Sequence, residues 1–146
     1  MNTRHIKQAQ KLIQMAESYE AFFYKLQEEN YGQLQALVKN LMYLYPLEKL
    51  WVTEATYGIL VKAIVIDPDY REQGIGTKVM QAIIDYSDLT GKPLALTPSR
   101  QYGGTVSRLT DWYKGLGFIP NKGKKRDFRL PETMVRYPQK IGIVKN

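Results

Sequence analysis

A nearly continuous apolar run that ends in a glycine-rich turn is the feature that most constrains the fold of this chain. The run Ile59-Leu-Val-Lys-Ala-Ile-Val-Ile66 is typical of a strand that is covered on both faces. Asp67-Pro-Asp-Tyr70 follows as a turn, and Arg71-Glu-Gln-Gly-Ile-Gly76 leads into a helix predicted from about Gly74 to Thr90. Leu94 to Thr97 then predicts a short buried strand. This order of strand, turn, helix and strand predicts a parallel crossover.

The residues before this crossover are expected to be mostly helical. Apolar residues recur at helical spacing over roughly residues 3–45, with a break at Asn30-Tyr-Gly32 and a stop at Pro46. Between Pro46 and the long strand, Leu50 to Thr53 predicts one shorter strand.

The residues after the crossover predict one more helix and the closing strands. The helix runs from about Thr105 to Leu116, and Gly117 follows it as a left-handed cap. Two short strands are predicted near Asp127 to Leu130 and Thr133 to Tyr137. We therefore expect a single α/β domain over residues 1–146, with a helical part at 1–46, a core at 47–138 and a basic tail at 139–146.

The glycine-rich turn has the chemistry of an anion site. Gly74 and Gly76 allow the backbone to turn tightly and to approach a ligand closely. Amide groups at the start of a helix, together with its dipole, bind anions, and the guanidinium of Arg71 adds donors suited to phosphate. We predict that the turn binds a pyrophosphate. The alternative is that both glycines serve only a tight turn.

Other phosphate motifs match less well. A dinucleotide fingerprint requires a third glycine, where this chain has Val79. A P-loop requires Gly-Lys-Ser/Thr, whereas Gly91 and Lys92 are followed by Pro93.

The content of cysteine and histidine excludes several kinds of site. The chain has no cysteine, which excludes disulfides, thiolate metal sites and a cysteine nucleophile. Its single histidine, His5, argues against a histidine metal site or a Ser-His-Asp triad, so we expect no metal. The apolar stretch from Tyr57 to Ile66 is too short to cross a membrane, and Met1 to Gln8 lacks the pattern of a signal peptide. We expect a cytoplasmic protein.

Two motifs, in this order, resemble the GNAT superfamily of acetyltransferases. Ile64 to Gly76 is similar to motif A of that family, whose signature is Arg/Gln-x-x-Gly-x-Gly/Ala after a strand. Leu109-Thr-Asp-Trp-Tyr113-Lys-Gly-Leu-Gly117-Phe118 is similar to the late motif, in which a tyrosine precedes a Gly-Phe pair. The resemblance implies a mixed, mostly antiparallel sheet flanked by helices. The helical N-terminal part would replace the usual first strand.

The resemblance also implies a binding site for acetyl-coenzyme A. Backbone groups around Ile64, Val65 and Ile66 would pair with its pantetheine arm, and an amide of that strand would polarise the thioester carbonyl. The family often has asparagine at the start of the last helix, where we expect Ser107 to make the contact. The residues expected at the pyrophosphate are Arg71, Glu72, Gln73, Gly74, Ile75, Gly76 and Thr77.

Tyr113 is, by the same resemblance, the acid that protonates the departing thiolate. Elementary chemistry agrees. A thiol has a pKa of about 8.5, so its thiolate needs only a weak acid nearby, and a phenol of pKa about 10 can donate the proton when the two are close. Tyr113 shares a helical face with Val106, Leu109 and Leu116, so it is predicted to point toward the sheet. The alternative is a tyrosine that serves only the core.

The acceptor amine must lose a proton before it reacts. We name Glu54, between the two strands, and Asp67, at the end of the long strand, as candidate bases. Without cysteine, we expect direct attack of the amine in a ternary complex. The expected acceptor is a lysine or N-terminus of a protein, or a small amine.

The net charge of +7 leaves two other functions open. One is a basic module that keeps the fold and binds nucleic acid or a host protein. The other is an enzyme that modifies a nucleic-acid base. The segment from Asn121 to Arg126 could be a solvated loop, hold the 3′-phosphate of coenzyme A, or attract a nucleic acid with Tyr102 and Trp112 as stacking surfaces.

The segments from Thr97 to Gly104 and from Gly117 to Gly123 resemble a branch of these enzymes found in bacteriophages and mobile elements. For a phage enzyme, the expected location is the cytoplasm of the host. The long N-terminal helices are compatible with a monomer or a homodimer.

Overall fold

The computed structural model describes residues 32–99 and 105–139. The first predicted helix, most of the polar loop before residue 105 and nearly all of the basic tail lie outside these residues. The helices are α1 (Gln33–Leu44), α2 (Ile75–Thr90) and α3 (Val106–Gly115). The strands are β1 (Leu47–Ala55), β2 (Gly58–Ile66), β3 (Leu94–Leu96), β4 (Ile119–Pro120) and β5 (Met134–Arg136). Short 3₁₀ turns span Pro68–Tyr70 and Gly123–Lys125.

The five strands form one mixed sheet in the order β1-β2-β3-β5-β4. β2 and β3 are parallel and are joined through α2, which confirms the predicted crossover. The other three pairs of neighbouring strands are antiparallel. The predicted fold class, a mixed and mostly antiparallel sheet with helices, is therefore correct.

The main core lies between the helices and one face of the sheet. Leu37 and Leu41 of α1 and Val79 and Ile83 of α2 are completely buried and pack in one cluster with Ile59 of β2. The spacing of these residues along each helix is the apolar stripe that the sequence predicts.

The opposite face of the sheet carries a smaller cluster. Leu130, in the connection between β4 and β5, is fully buried there against Ala95 and Val135, with Leu60 packed beside them. Strand alternation explains the division, because Ala95 points away from the face that Leu94 and Leu96 cover.

The predicted strand near Asp127 to Leu130 is wrong. β5 pairs with β3 and β4, and the residues between β4 and β5 form a loop around the buried side chain of Asn121. Its Nδ2 donates to the carbonyls of Asp127, Leu130 and Glu132 at 3.3, 2.9 and 3.0 Å, and its Oδ1 accepts from the amide of Asp127 at 2.8 Å. The side chain of Asn121 thus forms the hydrogen bonds that these backbone groups would form with an adjacent strand if they were part of the sheet.

A buried ion pair joins α2, α3 and β5. Arg136 Nη1 lies 2.8 Å from Asp88 Oδ1, with side chains that are 7% and 17% exposed. Arg136 Nε also donates to the carbonyl of Leu116 at 3.1 Å, just past the end of α3. The left-handed Gly117, with φ of 102°, leaves room for this side chain, since a Cβ there would lie 3.1 Å from Arg136 Nε.

Candidate active site

A cleft opens where β2 and β3 separate. The two strands pair only at Ile59–Val61 with Leu94–Leu96, while β2 continues to Ile66. The cleft has a volume of about 220 Å³. Its lining residues are Val61, Lys62, Ala63, Ile64, Ile66, Arg71, Gly76, Leu96, Thr97, Ser99, Leu109, Trp112 and Tyr113.

Two local features help to separate the strands. The register of β2 against β1 shifts between Trp51 and Val52, which makes Lys62 the extra residue of a β-bulge in β2. A bulge bends a strand and increases its twist. On the other side of the cleft, Pro98 follows the end of β3, and proline has no amide proton with which to extend the ladder.

The turn between β2 and α2 reaches this cleft at Arg71 and Gly76. Gly74 is the N-cap of α2 in a left-handed conformation, with φ of 78° and no side-chain cap. The amides of Ile75, Gly76 and Thr77 have no acceptor within the helix. Glu72 also has a positive φ of 63°, a conformation that non-glycine residues adopt mainly in special turns and at functional sites. Together these groups form the positive end of the helix.

Gly76 distinguishes a ligand site from a simple turn. Its φ is not positive, and a Cβ there would lie 3.7 Å from Trp112 Cη2, an ordinary contact. A glycine inside a helix costs about 1 kcal/mol relative to alanine. The turn itself therefore requires Gly74 but does not require Gly76, which lines the cleft and keeps it open beside the free amides.

Arg71 lies at the same end of the cleft. Its Nε donates to the carbonyl of Ile66 at 3.3 Å, which holds the guanidinium against the end of β2. The remaining donors of the guanidinium are on its two terminal nitrogens, whose fork matches the oxygens of a phosphate.

Tyr113 reaches the cleft from α3. Its ring packs edge-on against Phe118 at 5.5 Å and lies 4.8 Å from the ring of Trp112. Burial raises the pKa of Tyr113 to about 12, so the phenol is protonated at neutral pH and is a weaker acid than an ordinary tyrosine. The side chain is thus packed against the core and also lines the cleft.

Trp112 connects the two helices at the cleft. Its indole Nε1 donates to Thr77 Oγ1 at 3.2 Å. The sequence interpretation offered Trp112 only as a stacking surface for nucleic acid. Its position next to Tyr113 in the late motif could have placed Trp112 at the cleft. Two adjacent residues near the buried face of a helix can both reach the element that packs against it.

Four of the eleven predicted binding residues line the cleft, together with Tyr113, the predicted acid. Those that line the cleft are Ile64, Ile66, Arg71, Gly76 and Tyr113. Val65 is buried within β2, and Ser107 is exposed on the first turn of α3, outside the lining of the cleft. Glu72, Gln73, Gly74, Ile75 and Thr77 lie in the turn and in the first turn of α2.

Neither candidate base lines this cleft. Glu54 pairs in register with Ile59, at the opposite end of β2 from the cleft. There its Oε2 accepts from Lys92 Nζ at 2.6 Å and its Oε1 from the hydroxyl of Tyr86 at 3.0 Å. Asp67 uses its Oδ1 to accept from the amide of Asp69 at 3.0 Å inside the turn. The structure does not bring Glu54 to Tyr113, because the register of β1 sets Glu54 at the far end of the sheet.

A carboxylate that the sequence interpretation missed lies beside the cleft. Glu132 is 8% exposed, and its Oε2 lies 3.5 Å from Nζ of Lys62, which lines the cleft. No sequence pattern identifies Glu132, since it lies in an irregular connection after Pro131.

Within residues 32–99 and 105–139 there is no cluster of three or more carboxylate or imidazole side chains that could hold a metal ion. No helix in the same residues is both long and apolar enough to cross a membrane.

A family model described as the acetyltransferase (GNAT) domain matches residues 46–120, just over half of the chain. These residues contain β1 to β4, the glycine-rich turn and Tyr113. No curated protein and no solved structure gives a significant match. The chain therefore belongs to the GNAT family of acetyltransferases.

Proposed function

We propose that the protein is an N-acetyltransferase that uses acetyl-coenzyme A and acts on a primary amine. The acceptor is a lysine or the N-terminus of a protein, or a small amine. The observation that supports this most is that Gly76 in the first turn of α2, the separated edge of β2 and the Tyr113 ring all line one cleft.

The residues present fit the cofactor. The amides of Ile75, Gly76 and Thr77 and the terminal nitrogens of Arg71 would hold the pyrophosphate, and Gly76 leaves space beside it. Past Val61, β2 has no pairing with β3, so backbone groups of Ile64, Val65 and Ile66 are candidates to pair with the pantetheine arm as an added strand would. When bound, acetyl-coenzyme A supplies a thioester that is reactive toward amines.

Tyr113 is the proposed acid for the leaving sulfur. With a pKa of about 12 it stays protonated at the pH of the reaction. A thiol, with a pKa of about 8.5, is the stronger acid of the two, so this proton transfer is uphill in pKa and depends on the thiolate charge that develops beside the hydroxyl. A backbone amide at the separated edge of β2 is the proposed donor to the thioester carbonyl. Because the chain has no cysteine, the amine attacks directly rather than through a thioester on the enzyme.

An acetyl-transfer assay tests this function. Release of thiol from acetyl-coenzyme A is followed with a panel of lysine peptides and small amines, and mass spectrometry identifies the acetylated product. In Tyr113→Phe we expect kcat to fall by about 100-fold or more, with the Kd for acetyl-coenzyme A nearly unchanged. Tyr43→Phe, at an exposed position on α1, is the matched control. Equal turnover of Tyr113→Phe and the wild type would remove Tyr113 from this role.

A second candidate function is the binding of a polyanion, such as single-stranded nucleic acid. The loop between β4 and β5 exposes Lys122, Lys124, Lys125 and Arg126, and Phe128 is 81% exposed beside them. The guanidinium of Arg126 lies 5.3 Å from the centre of the Phe128 ring. Exposed cations with an aromatic ring are the groups that bind single strands. Tight oligonucleotide binding that weakens steeply with salt and is lost in Phe128→Ala, without acetyl transfer, would favour this function.

The phage or mobile-element branch, the location in the cell and the choice between monomer and homodimer stay predictions.

A further inference from the structure

The side chain of Glu132 is buried with only half of its carboxylate satisfied. Oε2 has the ion pair with Lys62 at 3.5 Å, whereas Oε1 is buried and has no hydrogen-bond partner. Lys62 itself is partly exposed, with 37% of its side chain open to solvent. A buried carboxylate oxygen without a donor is unfavourable, so this arrangement is at its most stable when a ligand supplies one.

The backbone fixes this carboxylate at the edge of the cleft. The amide of Thr133, the next residue, donates to Oγ1 of Thr97 at 3.1 Å, and Thr97 lines the cleft. The carbonyl of Glu132 accepts from Nδ2 of the buried Asn121 at 3.0 Å. Lys62, its ion-pair partner, lines the cleft as the extra residue of the bulge in β2. Glu132 is thus held against two residues that line the cleft, Lys62 and Thr97, and is not itself part of the lining.

The unsatisfied oxygen has the chemistry needed for an ammonium group. An ammonium ion provides N–H donors and a positive charge, and both stabilise a buried carboxylate. The acceptor also needs a base, because an alkylamine of pKa about 10.4 is neutral in only about one molecule in a few thousand at pH 7. Glu54 and Asp67, the bases expected from the sequence, are engaged elsewhere.

We propose that Glu132 binds the ammonium group of the acceptor through Oε1 and takes one proton from it, an inference that rests on the proposed acetyl transfer. The neutral amine nitrogen then forms its bond to the acetyl carbon as the carbon–sulfur bond breaks. The sulfur takes the proton of Tyr113. The second proton that the nitrogen loses restores the Tyr113 phenol, and Glu132 releases its proton to water.

The first test measures binding rather than turnover. The probe n-propylammonium chloride is titrated into the protein, and the amide NMR signals of Thr97 and Thr133 are followed. We expect saturable shifts in the wild type that are absent in Glu132→Gln, which keeps the shape of the side chain. Glu48→Gln, at an exposed position on β1, is the control and should bind as the wild type does. Shifts of the same size in Glu132→Gln, or none in the wild type, would overturn the proposal.

Lys62→Gln provides a second variant, which keeps the Glu132 side chain and removes its ion-pair partner. If Glu132 binds an ammonium, removal of the competing lysine should tighten propylammonium binding several-fold. Unchanged binding would show that Glu132 serves only as the partner of Lys62.

Stability and turnover separate this role from a structural one. We expect the midpoint of thermal unfolding of Glu132→Gln to equal or exceed that of the wild type, because a poorly satisfied charge has been removed. Its turnover of propylamine should fall by about 100-fold, with an unchanged Kd for acetyl-coenzyme A. A lower midpoint together with wild-type turnover would contradict the proposal.

Failure of the wild type to bind acetyl-coenzyme A would instead contradict the proposed function, and the propylammonium titration would still test Glu132.

Discussion

The indole nitrogen of Trp112 donates a hydrogen bond of 3.2 Å to the hydroxyl of Thr77. Trp112 precedes Tyr113 on α3, whereas Thr77 lies on the first turn of α2, whose amides are free to bind an anion. The bond therefore couples the proposed acid to the proposed phosphate site. It uses the hydroxyl oxygen of Thr77 as an acceptor, so the O–H of this side chain is left to donate a hydrogen bond of its own.

Trp112→Phe should weaken the binding of acetyl-coenzyme A. The substitution keeps an aromatic wall in the cleft but removes one hydrogen bond, which is worth about 1 kcal/mol, so we expect the Kd to rise by about 3- to 10-fold. Calorimetric titration measures this change. Trp51→Phe, on the exposed side of β1, is the matched control. An unchanged Kd in Trp112→Phe would mean that the bond does not support the binding site.

Burial of Tyr113 should make stability depend on pH in the alkaline range. The pKa in the folded protein, about 12, lies above the ordinary value of 10. The contribution of this group is therefore complete below pH 10 and is lost as the pH rises from 10 toward 12, where only the unfolded chain ionises. The difference in unfolding free energy between the wild type and Tyr113→Phe should fall by about 1 kcal/mol between pH 9 and pH 11. Urea unfolding at both values measures it, and a constant difference would argue against burial of the phenol.

The buried pair of Arg136 and Asp88 should contribute strongly to stability. Arg136→Met leaves Asp88 without its ion-pair partner, with only the amide of Gln139 at 2.9 Å as a donor, and leaves the carbonyl of Leu116 without a donor. We expect a loss of about 3–5 kcal/mol in the free energy of unfolding. The double variant with Asp88→Asn should lose less than the sum of the two single variants. Arg129→Met, which removes the partner of Asp127 at a side chain that is 60% exposed, is the control and should lower the free energy of unfolding by less than Arg136→Met does. Additive losses would show that the pair does not act as a unit.

Glu54→Gln should affect stability rather than catalysis. Glu54 accepts bonds from Tyr86 and Lys92 far from the cleft, and its side chain is 27% exposed, so we expect a loss of about 1 kcal/mol in stability. Its kcat should stay within about twofold of the wild type, since a group outside the cleft makes no contact in the transition state. Steady-state kinetics decide the point. A 100-fold loss of kcat in a folded Glu54→Gln protein would restore Glu54 as the base.

Local patterns made much of the fold predictable. The apolar run of β2, the turn after it and the apolar stripe of α2 are each encoded within one short segment, so they could be recognised without knowledge of the rest of the chain. The glycine-rich turn and Tyr113 were likewise found from adjacent residues, and the structure places both at the cleft.

Contacts between distant segments were not predictable. The alternation of polar and apolar residues near Phe128 favours a strand. The segment forms a loop instead, because the side chain of Asn121 hydrogen-bonds to its backbone. The sequence predicts that Glu54 lies between two strands. Its end of the sheet is known only from the register, in which Glu54 pairs with Ile59. The pairing of Lys62 with Glu132 joins two residues that no local pattern relates.

Calorimetric titration with acetyl-coenzyme A, on the wild type and two glycine variants, tests the central claim most directly. Gly76→Glu puts a carboxylate into the cleft beside the free amides, whereas Gly115→Glu makes the same change at an exposed position with no atom within 4 Å of the new Cβ. We predict micromolar or tighter binding to the wild type and to Gly115→Glu, and none to Gly76→Glu. Equal binding by both variants, or no binding by the wild type, would contradict the assignment of this cleft as the acetyl-coenzyme A site.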